Sequence, residues 1–198
     1  MSRFISIITA LFFVASTAWS GDYSVDPAHS QIGFEVTHMV IATVDGHFDD
    51  YTVNLSFNPD DLSAFSVEAV INTASITTEN DKRDNHLKSP DFFDVAKFPQ
   101  MIFKSNKVEK TESGYVAKGS LTIRGVTKEV DLPFTIKGPI KDPWGNKRIG
   151  IEGETEINRQ DFGVKWSKTM DGGGLVVSDE VQIKIDAEFV EQESASSK

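Results

Sequence analysis

The sequence predicts an all-β fold of about eight to ten antiparallel strands with one or two short helices between strands. Apolar and polar residues alternate along many short segments, and turn-forming residues separate these segments. One polar stretch near the middle of the chain lacks the alternation. At 198 residues the chain has the length of one domain.

Seven segments alternate clearly, and a period of two places one face of each strand towards a core. Their apolar positions, in chain order, are Ile32/Phe34/Val36, Tyr51/Val53/Leu55/Phe57, Phe65/Val67/Ala69/Ile71, Tyr115/Ala117/Gly119/Leu121/Ile123, Val130/Leu132/Phe134/Ile136, Ile149/Ile151/Gly153/Thr155/Ile157 and Val181/Ile183/Ile185/Ala187/Phe189. Residues 44–48 and 101–108 fit the strand pattern less cleanly. Because Phe48 and Tyr51 are out of phase, we expect a bulge or bend between them.

Turn residues at 58–61, 124–127 and 142–146 indicate short connections, as in a meander of neighbouring strands. Residues 77–99 form the exception, because they are polar and compatible with helix. Ser89 followed by Pro90 has the pattern of a helix start. Periodicity alone does not decide between a sandwich and a closed barrel, and closure is what removes exposed strand edges.

The first twenty residues have the pattern of a secretory signal peptide. Arg3 precedes an apolar run over 4–15, and the small residues Ala18 and Ser20 suit signal-peptidase cleavage after residue 20. The run is too short to span a bilayer. We therefore predict cleavage of residues 1–20, a mature domain over 21–190, a flexible polar tail over 191–198, and a periplasmic location.

Composition excludes several classes of function. A net charge of -10 opposes nucleic-acid binding, and the absence of cysteine excludes thiolate catalysis and cysteine metal sites. The histidines His29, His38, His47 and His86 lack the spacing of a preformed metal site, so we expect neither a metal nor a cofactor. No nucleophile elbow, phosphate loop or HExxH pattern is present, and the sequence indicates no enzyme.

Several spaced motifs resemble one family. They include Asp26-Pro27-Ala28-His29-Ser30, Gly33-Phe34-Glu35-Val36-Thr37-His38, Val44-Asp45-Gly46-His47-Phe48, Arg83-Asp84-Asn85-His86-Leu87, Asp91-Phe92-Phe93-Asp94-Val95, Gly119-Ser120-Leu121-Thr122-Ile123-Arg124-Gly125 and Asn158-Arg159-Gln160-Asp161-Phe162-Gly163. These blocks cover nearly the whole mature chain, and together they resemble the YceI-like family of periplasmic lipid-binding proteins. The resemblance implies a lipocalin-like antiparallel barrel whose apolar pocket holds a polyisoprenoid or similar long-chain amphiphile.

Strand parity supplies candidate pocket residues, because every second side chain of a barrel strand faces inwards. A filled hydrophobic core is the alternative for each of them. His38 shares the inward parity of the first long strand and is a candidate polar contact at the pocket mouth. The candidates are Ile32, Phe34, Val36, His38, Phe65, Val67, Ala69, Leu121, Ile123, Leu132 and Phe134.

Two arginines are candidates for a phosphate head group, because guanidinium binds phosphate in a bidentate manner. Arg83 and Arg159 each have an aspartate one or two places away, however, so ion pairs that hold loops to the barrel are the favoured interpretation.

Three functions remain open from the sequence. The first is a periplasmic carrier of an isoprenoid lipid such as a polyprenyl phosphate or quinone. The second is an enzyme that acts on a lipid-like substrate in the same pocket, with His38 or Asp161 pointing inwards. The third is an acidic interaction module with a solid core. We expect no integral membrane segment; transient contact with a membrane or a membrane redox protein, and a homodimer, are open.

Overall fold

The computed structural model describes residues 21–58 and 61–192. Its one α-helix, α1 (Asp81–Lys88), and four 3₁₀ turns (Pro27–His29, Leu62–Ala64, Thr73–Ser75 and Arg159–Phe162) interrupt an otherwise all-strand chain. The strands are β1 (Gly21–Val25), β2 (Gln31–His38), β3 (Ala42–Phe48), β4 (Tyr51–Phe57), β5 (Ser66–Asn72), β6 (Ile76–Thr77), β7 (Gln100–Thr111), β8 (Gly114–Ile123), β9 (Val126–Lys141), β10 (Lys147–Asn158) and β11 (Val177–Glu191).

Eight strands close into an antiparallel barrel, which confirms the predicted fold class. The order around the ring is β1, β4, β5, β7, β8, β9, β10, β11, and pairing of β1 with β11 closes it. The remaining strands, β2, β3 and β6, extend the same sheet from β11. Closure leaves no exposed strand edge around the ring. The fold is therefore a closed barrel and not a β-sandwich.

The additional segments continue strands of the ring. β1 pairs with β11 around Phe189, and β2 pairs with the preceding part of β11 from Asp186 to Val177, so β1 and β2 lie one after the other along one neighbour. β3 pairs with β2, and β4 pairs with β1, so β3 and β4 also lie one after the other. The expected break between Phe48 and Tyr51 lies between β3 and β4, where Asn72 N–H donates to the Asp50 carbonyl over 2.9 Å.

Helix α1 lies in the polar stretch where one or two helices were expected. The Asn80 side chain accepts a hydrogen bond from Arg83 N–H over 3.1 Å and caps its first turn. The predicted helix start at Ser89 is wrong. Ser89 N–H donates to the His86 carbonyl and so ends α1, and the residues that follow form turns rather than a second helix. Among the described residues no helix has the length and apolarity needed to cross a bilayer.

The barrel has two distinct ends. At the helix end lie α1, the 3₁₀ turn Arg159–Phe162, the β2–β3 turn and the β8–β9 turn. At the hairpin end lie the β9–β10 hairpin, the β7–β8 turn and the start of β1. Strand β11 runs from the helix end to the hairpin end. The position of a residue along β11 therefore gives its distance from the two ends of the barrel.

The described chain ends in the sheet. β11 continues to Glu191, and Gln192 N–H donates to the Asp22 carbonyl over 2.7 Å, so the paired region extends past the predicted boundary at 190. Residues 1–20, the predicted signal peptide, and residues 193–198 of the predicted tail lie outside the described residues.

Candidate functional site

The barrel encloses a cavity of about 220 Å³ towards its helix end. Its walls consist largely of strand residues of inward parity. In the described part of the chain, Thr155 and Arg159 are the only lining residues whose side chains carry nitrogen or oxygen atoms. A cavity of this kind favours an apolar guest, because a polar guest would lose its hydrogen bonds to water.

The exposed fraction of the inward-facing side chains changes along each strand, and this change shows where the cavity lies. On β11, Val181, Ile183 and Ile185 face inwards yet are only half-buried, whereas Ala187 and Phe189 are buried. Because the half-buried side chains lie nearer the helix end, the interior is open there and packed at the hairpin end. On β10 the order is the same: Ile157 is half-buried and Ile149 is fully buried.

Aromatic rings form the floor at the hairpin end. Phe65 packs against Phe57 with ring centres 5.4 Å apart and against Phe134 at 5.6 Å. Tyr115 stacks on Phe134 at 5.5 Å. Phe134 alone of these four reaches the cavity lining. The cluster therefore seals one end of the barrel and offers a single ring to the interior.

Residues of α1 and of the loop that follows it form the roof at the helix end. Leu87 of α1 and the following Phe92 and Phe93 line the cavity. The Arg124 guanidinium of the β8–β9 turn donates to the Phe92 carbonyl and holds this loop in place. Trp166 packs outside it, 5.3 Å from the His86 ring and 5.4 Å from the Phe92 ring.

Sequence reasoning missed these roof residues because a loop has no periodicity to reveal which side chains face inwards. It also missed the inward positions of β10 and β11 as pocket residues, although their parity was as clear as that of β2.

Nine of the eleven parity candidates line the cavity, and two do not. Phe65 lies in the aromatic floor, one residue before β5 begins, and its ring contacts other rings rather than the cavity. His38 lies at the end of β2, half-buried and outside the lining. The nine residues in the lining are Ile32, Phe34, Val36, Val67, Ala69, Leu121, Ile123, Leu132 and Phe134.

Arg83 does not reach the cavity. Its Nε donates to Thr78 Oγ1 over 2.7 Å and its Nη2 to the Thr78 carbonyl over 2.8 Å. Buried Asp84 in turn accepts from Thr78 N–H over 2.9 Å. Burial raises the pKa of Asp84, but the hydrogen bonds from Thr78 and Thr77 outweigh it and hold the pKa below its ordinary value. The pair thus fixes α1 to the chain that precedes it.

Arg159 reaches the cavity lining, but four of its five N–H donors are already used. Only 6% of the residue is exposed. Its Nε donates to the Ser178 carbonyl over 2.8 Å, and Nη1 donates to the Val164 and Trp166 carbonyls over 2.7 and 2.8 Å. Its Nη2 pairs with Asp179 at 3.0 Å rather than with the neighbouring Asp161. Arg159 therefore ties the loop over 163–176 to β11.

The closest grouping of possible metal ligands among the described residues lies outside the barrel. Asp26, His29 and Glu188 place one ligand atom each within 4.8 Å of the others. The Arg148 guanidinium already pairs with Asp26 at 2.8 Å and also with Glu188. A cation there would have to displace the arginine.

The cavity offers little acid–base chemistry. Its lining, over the described ranges, contains no carboxylate and no imidazole, and Arg159 is its one titratable side chain. Asp161, which the enzyme hypothesis needed inside the pocket, is exposed. The arrangement can enclose an apolar molecule, but no carboxylate or imidazole of this lining is present to act as a general base, and the Thr155 hydroxyl donates to the Asp131 carbonyl over 2.9 Å.

Comparison with known proteins agrees with this architecture. A YceI-like domain matches residues 23–189, which include every strand of the closed barrel. The chain belongs to the YceI-like family.

Relatives of this YceI-like chain include both sequences and solved structures. A UPF0312 protein of Yersinia pestis (strain Pestoides F) is 38% identical over 184 residues, which are 92% of this chain and 93% of the relative. The YCEI protein of Campylobacter jejuni is 35% identical, with a TM-score of 0.68 over 85% of this chain and 97% of that structure.

A third relative is more distant. A polyisoprenoid binding domain from Saccharophagus degradans, implicated in plant cell wall breakdown, has a TM-score of 0.62 over 86% of this chain and 98% of that structure. At 16% identity this likeness shows the shared fold alone.

The YceI-like motifs of the chain are largely structural. Arg83 and Asp84 fix α1, Arg159 fixes the loop over 163–176, and Arg124 fixes Phe92. The polar motif residues therefore hold the roof of the cavity, whereas the side chains that line its walls lie largely on the alternating strands.

Proposed function

We propose that the protein is an exported binding protein that carries an isoprenoid lipid, a polyprenyl phosphate or a quinone-like long-chain amphiphile, in the barrel cavity. One observation carries the proposal: the inward-facing apolar side chains of β2, β10 and β11 nearest the helix end are only half-buried, because they surround a cavity rather than a packed core. These side chains are Phe34, Val36, Ile157, Val181, Ile183 and Ile185. A structural core would bury these side chains.

Partition explains how such a cavity holds its guest. Each CH₂-sized group moved out of water contributes about 0.8 kcal/mol, so a branched chain several isoprene units long gains most of its affinity without polar contacts. The floor of rings is closed and the mouth lies at the helix end. The tail therefore lies inside and the head group remains at the mouth.

Further support comes from the family and from the sequence. The YceI-like resemblance implies lipid binding, and the Saccharophagus degradans domain with the same fold is described as polyisoprenoid-binding. The pattern over 1–20 implies export to the periplasm. Intact-mass measurement of the protein from the periplasmic fraction tests export, and a chain that begins at Gly21 is expected.

Uptake tests the binding proposal. Protein freed of lipid by unfolding and refolding is offered farnesol, geranylgeraniol and solanesol from detergent micelles, and bound alcohol is measured by mass spectrometry. Uptake should increase with chain length until the cavity is full, because each isoprene unit adds buried apolar surface. Hexadecanol is the unbranched control. Refolded barrel that takes up none of the alcohols contradicts the proposal.

A further inference from the structure

The β2–β3 turn presents three consecutive apolar side chains to solvent. The exposed fractions are 41% for Met39, 65% for Val40 and 88% for Ile41. Chain reversals normally use Gly, Asn, Asp or Ser, as the β9–β10 turn does with Asp142, Gly145 and Asn146. Turn formation therefore does not explain why the β2–β3 turn consists of apolar residues.

The backbone of this turn is held in an unfavourable conformation. Met39 and Val40 have φ angles of 50° and 66°, in the left-handed region that a β-branched residue avoids. Met39 N–H donates to the Val176 carbonyl over 2.9 Å, and Ile41 N–H to the His38 carbonyl over 3.2 Å. These bonds keep the turn formed, although Gly or Asn would adopt it with less strain.

The turn lies beside the mouth of the cavity. Val36, two residues before the end of β2, lines the cavity, as does Val177, the pairing partner of His38. Val40 also contacts the neighbouring loop, since a Cβ built on Gly174 would lie 3.1 Å from Val40 Cγ2 and 3.3 Å from Met170 Cε. Apolar surface is thus continuous from the turn to the loop at the mouth.

One unpaired cation lies beside this apolar surface, and a second lies on the same loop. Val176 N–H donates to the Lys168 carbonyl over 2.8 Å, and the Val176 carbonyl accepts from Met39 N–H, so one residue separates Lys168 from the turn. Lys165 and Lys168 are exposed, and neither forms an ion pair with a carboxylate in the described part of the chain. The loop also carries exposed Asp171. On a chain of net charge -10, Lys168 beside the apolar turn and Lys165 on the same loop form a local site for anionic head groups.

We propose that the β2–β3 turn inserts into the interface of a lipid bilayer, with Lys165 and Lys168 among anionic head groups, so that the cavity mouth faces the membrane. The proposal rests on the proposed function, because it supplies the route by which a membrane lipid reaches the cavity. Apolar side chains that enter the head-group region and flanking lysines that remain at its surface are the usual combination for reversible attachment.

Vesicle binding tests the insertion. The full mature chain is sedimented with vesicles of phosphatidylethanolamine and phosphatidylglycerol, and with vesicles of phosphatidylcholine alone. The double variant Val40→Asn/Ile41→Ser should reduce partition onto the anionic vesicles about tenfold, because two exposed apolar side chains no longer leave water. Asn accepts the left-handed backbone, so the fold is preserved. Lys165→Gln/Lys168→Gln should weaken binding to anionic vesicles alone.

Trp144→Ser is the matched control. Trp144 is 81% exposed, but it lies in the β9–β10 hairpin at the other end of the barrel. Its loss should leave vesicle binding unchanged. The insertion is overturned if the wild-type protein binds neither vesicle type, or if the turn variant binds as the wild type does. It is also overturned if Trp144→Ser alone loses binding.

Two routes of loading separate this proposal from the proposed function. Solanesol is supplied either in the anionic vesicles or in detergent micelles. The turn variant should load about tenfold more slowly from vesicles and at the wild-type rate from micelles. Equal rates from vesicles overturn the insertion only. Wild-type protein that loads from neither source overturns the proposed function itself.

Discussion

The ring of Phe34 lies over the backbone of Gly46, its pairing partner on β3. A Cβ built on Gly46 would fall 2.3 Å from Phe34 Cζ and 2.6 Å from Cε1, closer than real contacts allow. The ring is thus folded against the barrel wall, and the missing side chain of Gly46 provides the space for it. From this position Phe34 lines the cavity.

Replacement of Gly46 by Ala should displace the Phe34 ring into the cavity. We expect a loss of roughly 1–3 kcal/mol in the free energy of unfolding, the usual effect of overpacking, together with reduced uptake of solanesol. Gly172→Ala is the control, because a Cβ there meets no atom within 4 Å. Denaturant unfolding and lipid uptake are measured on both variants, and equal behaviour of the two would argue against the packing described.

Phe34 and Phe134 should respond differently to truncation. Phe134 is buried in the aromatic floor, so Phe134→Leu should destabilise the fold by about 1–3 kcal/mol. Phe34 is half-buried against the cavity, so Phe34→Leu should retain the fold and change lipid retention instead. Glu35→Gln, on the opposite face of β2, should do neither. Thermal unfolding and bound-lipid content separate the three; equal destabilisation by both Phe variants would indicate a solid core at Phe34.

Arg159 should prove structural rather than a head-group ligand. Arg159→Lys removes most of four hydrogen bonds to the loop over 163–176 and to Ser178 and Asp179 of β11, and we expect it to destabilise the protein by about 2–4 kcal/mol. Retention of a polyprenyl phosphate relative to the free alcohol should not change. A variant that unfolds normally but loses its preference for the phosphate would instead place the head group on Arg159.

Low pH should weaken the cluster around Arg148. Arg148 Nε donates to Asp142 over 2.7 Å and Nη1 to Asp26 over 2.8 Å. Its hydrogen bond, with a smaller effect from His29, lowers the pKa of Asp26. Burial raises the pKa of Asp142, but hydrogen bonds from Arg148 and Asn146 outweigh it and lower this pKa also.

Because both folded pKa values lie below those of the unfolded chain, the stabilisation is present above the unfolded value, about 3.9 for Asp, and is lost as pH falls below it. The midpoint of thermal unfolding should be steady between about pH 7 and 5 and fall below about pH 4. Arg148→Gln should lower the midpoint at neutral pH and flatten the acid decline. Parallel curves for the two proteins would show that the cluster does not contribute.

Strand parity predicted which side chains face inwards but not how deep they lie. Phe34 and Phe65 both have inward parity, yet one lines the cavity and the other belongs to the floor. Depth depends on the stagger of the strands around the barrel, which a local pattern of period two does not contain. His38 shows the same limit, because its strand ends where the lining ends.

The polar motifs were less predictable still. Arg159 was paired by proximity with Asp161, but it bonds to Asp179 and to three carbonyls that the fold brings near it. No motif in the sequence indicated a role for Arg148. In the structure it joins the β1–β2 connection, the β9–β10 hairpin and β11. The contacts of Arg148 with Asp26 and Glu188 join residues 122 and 40 positions apart, so only the closed barrel reveals them.

The lipid content of the natively purified protein tests the central claim most directly. Protein purified natively without detergent is extracted with organic solvent, and the extract is analysed by mass spectrometry beside that of Phe34→Leu and Glu35→Gln. We expect an isoprenoid lipid close to one per chain in the wild type and in Glu35→Gln, and less in Phe34→Leu. A wild-type extract without lipid, from a folded barrel that also takes up no solanesol, would contradict lipid carriage.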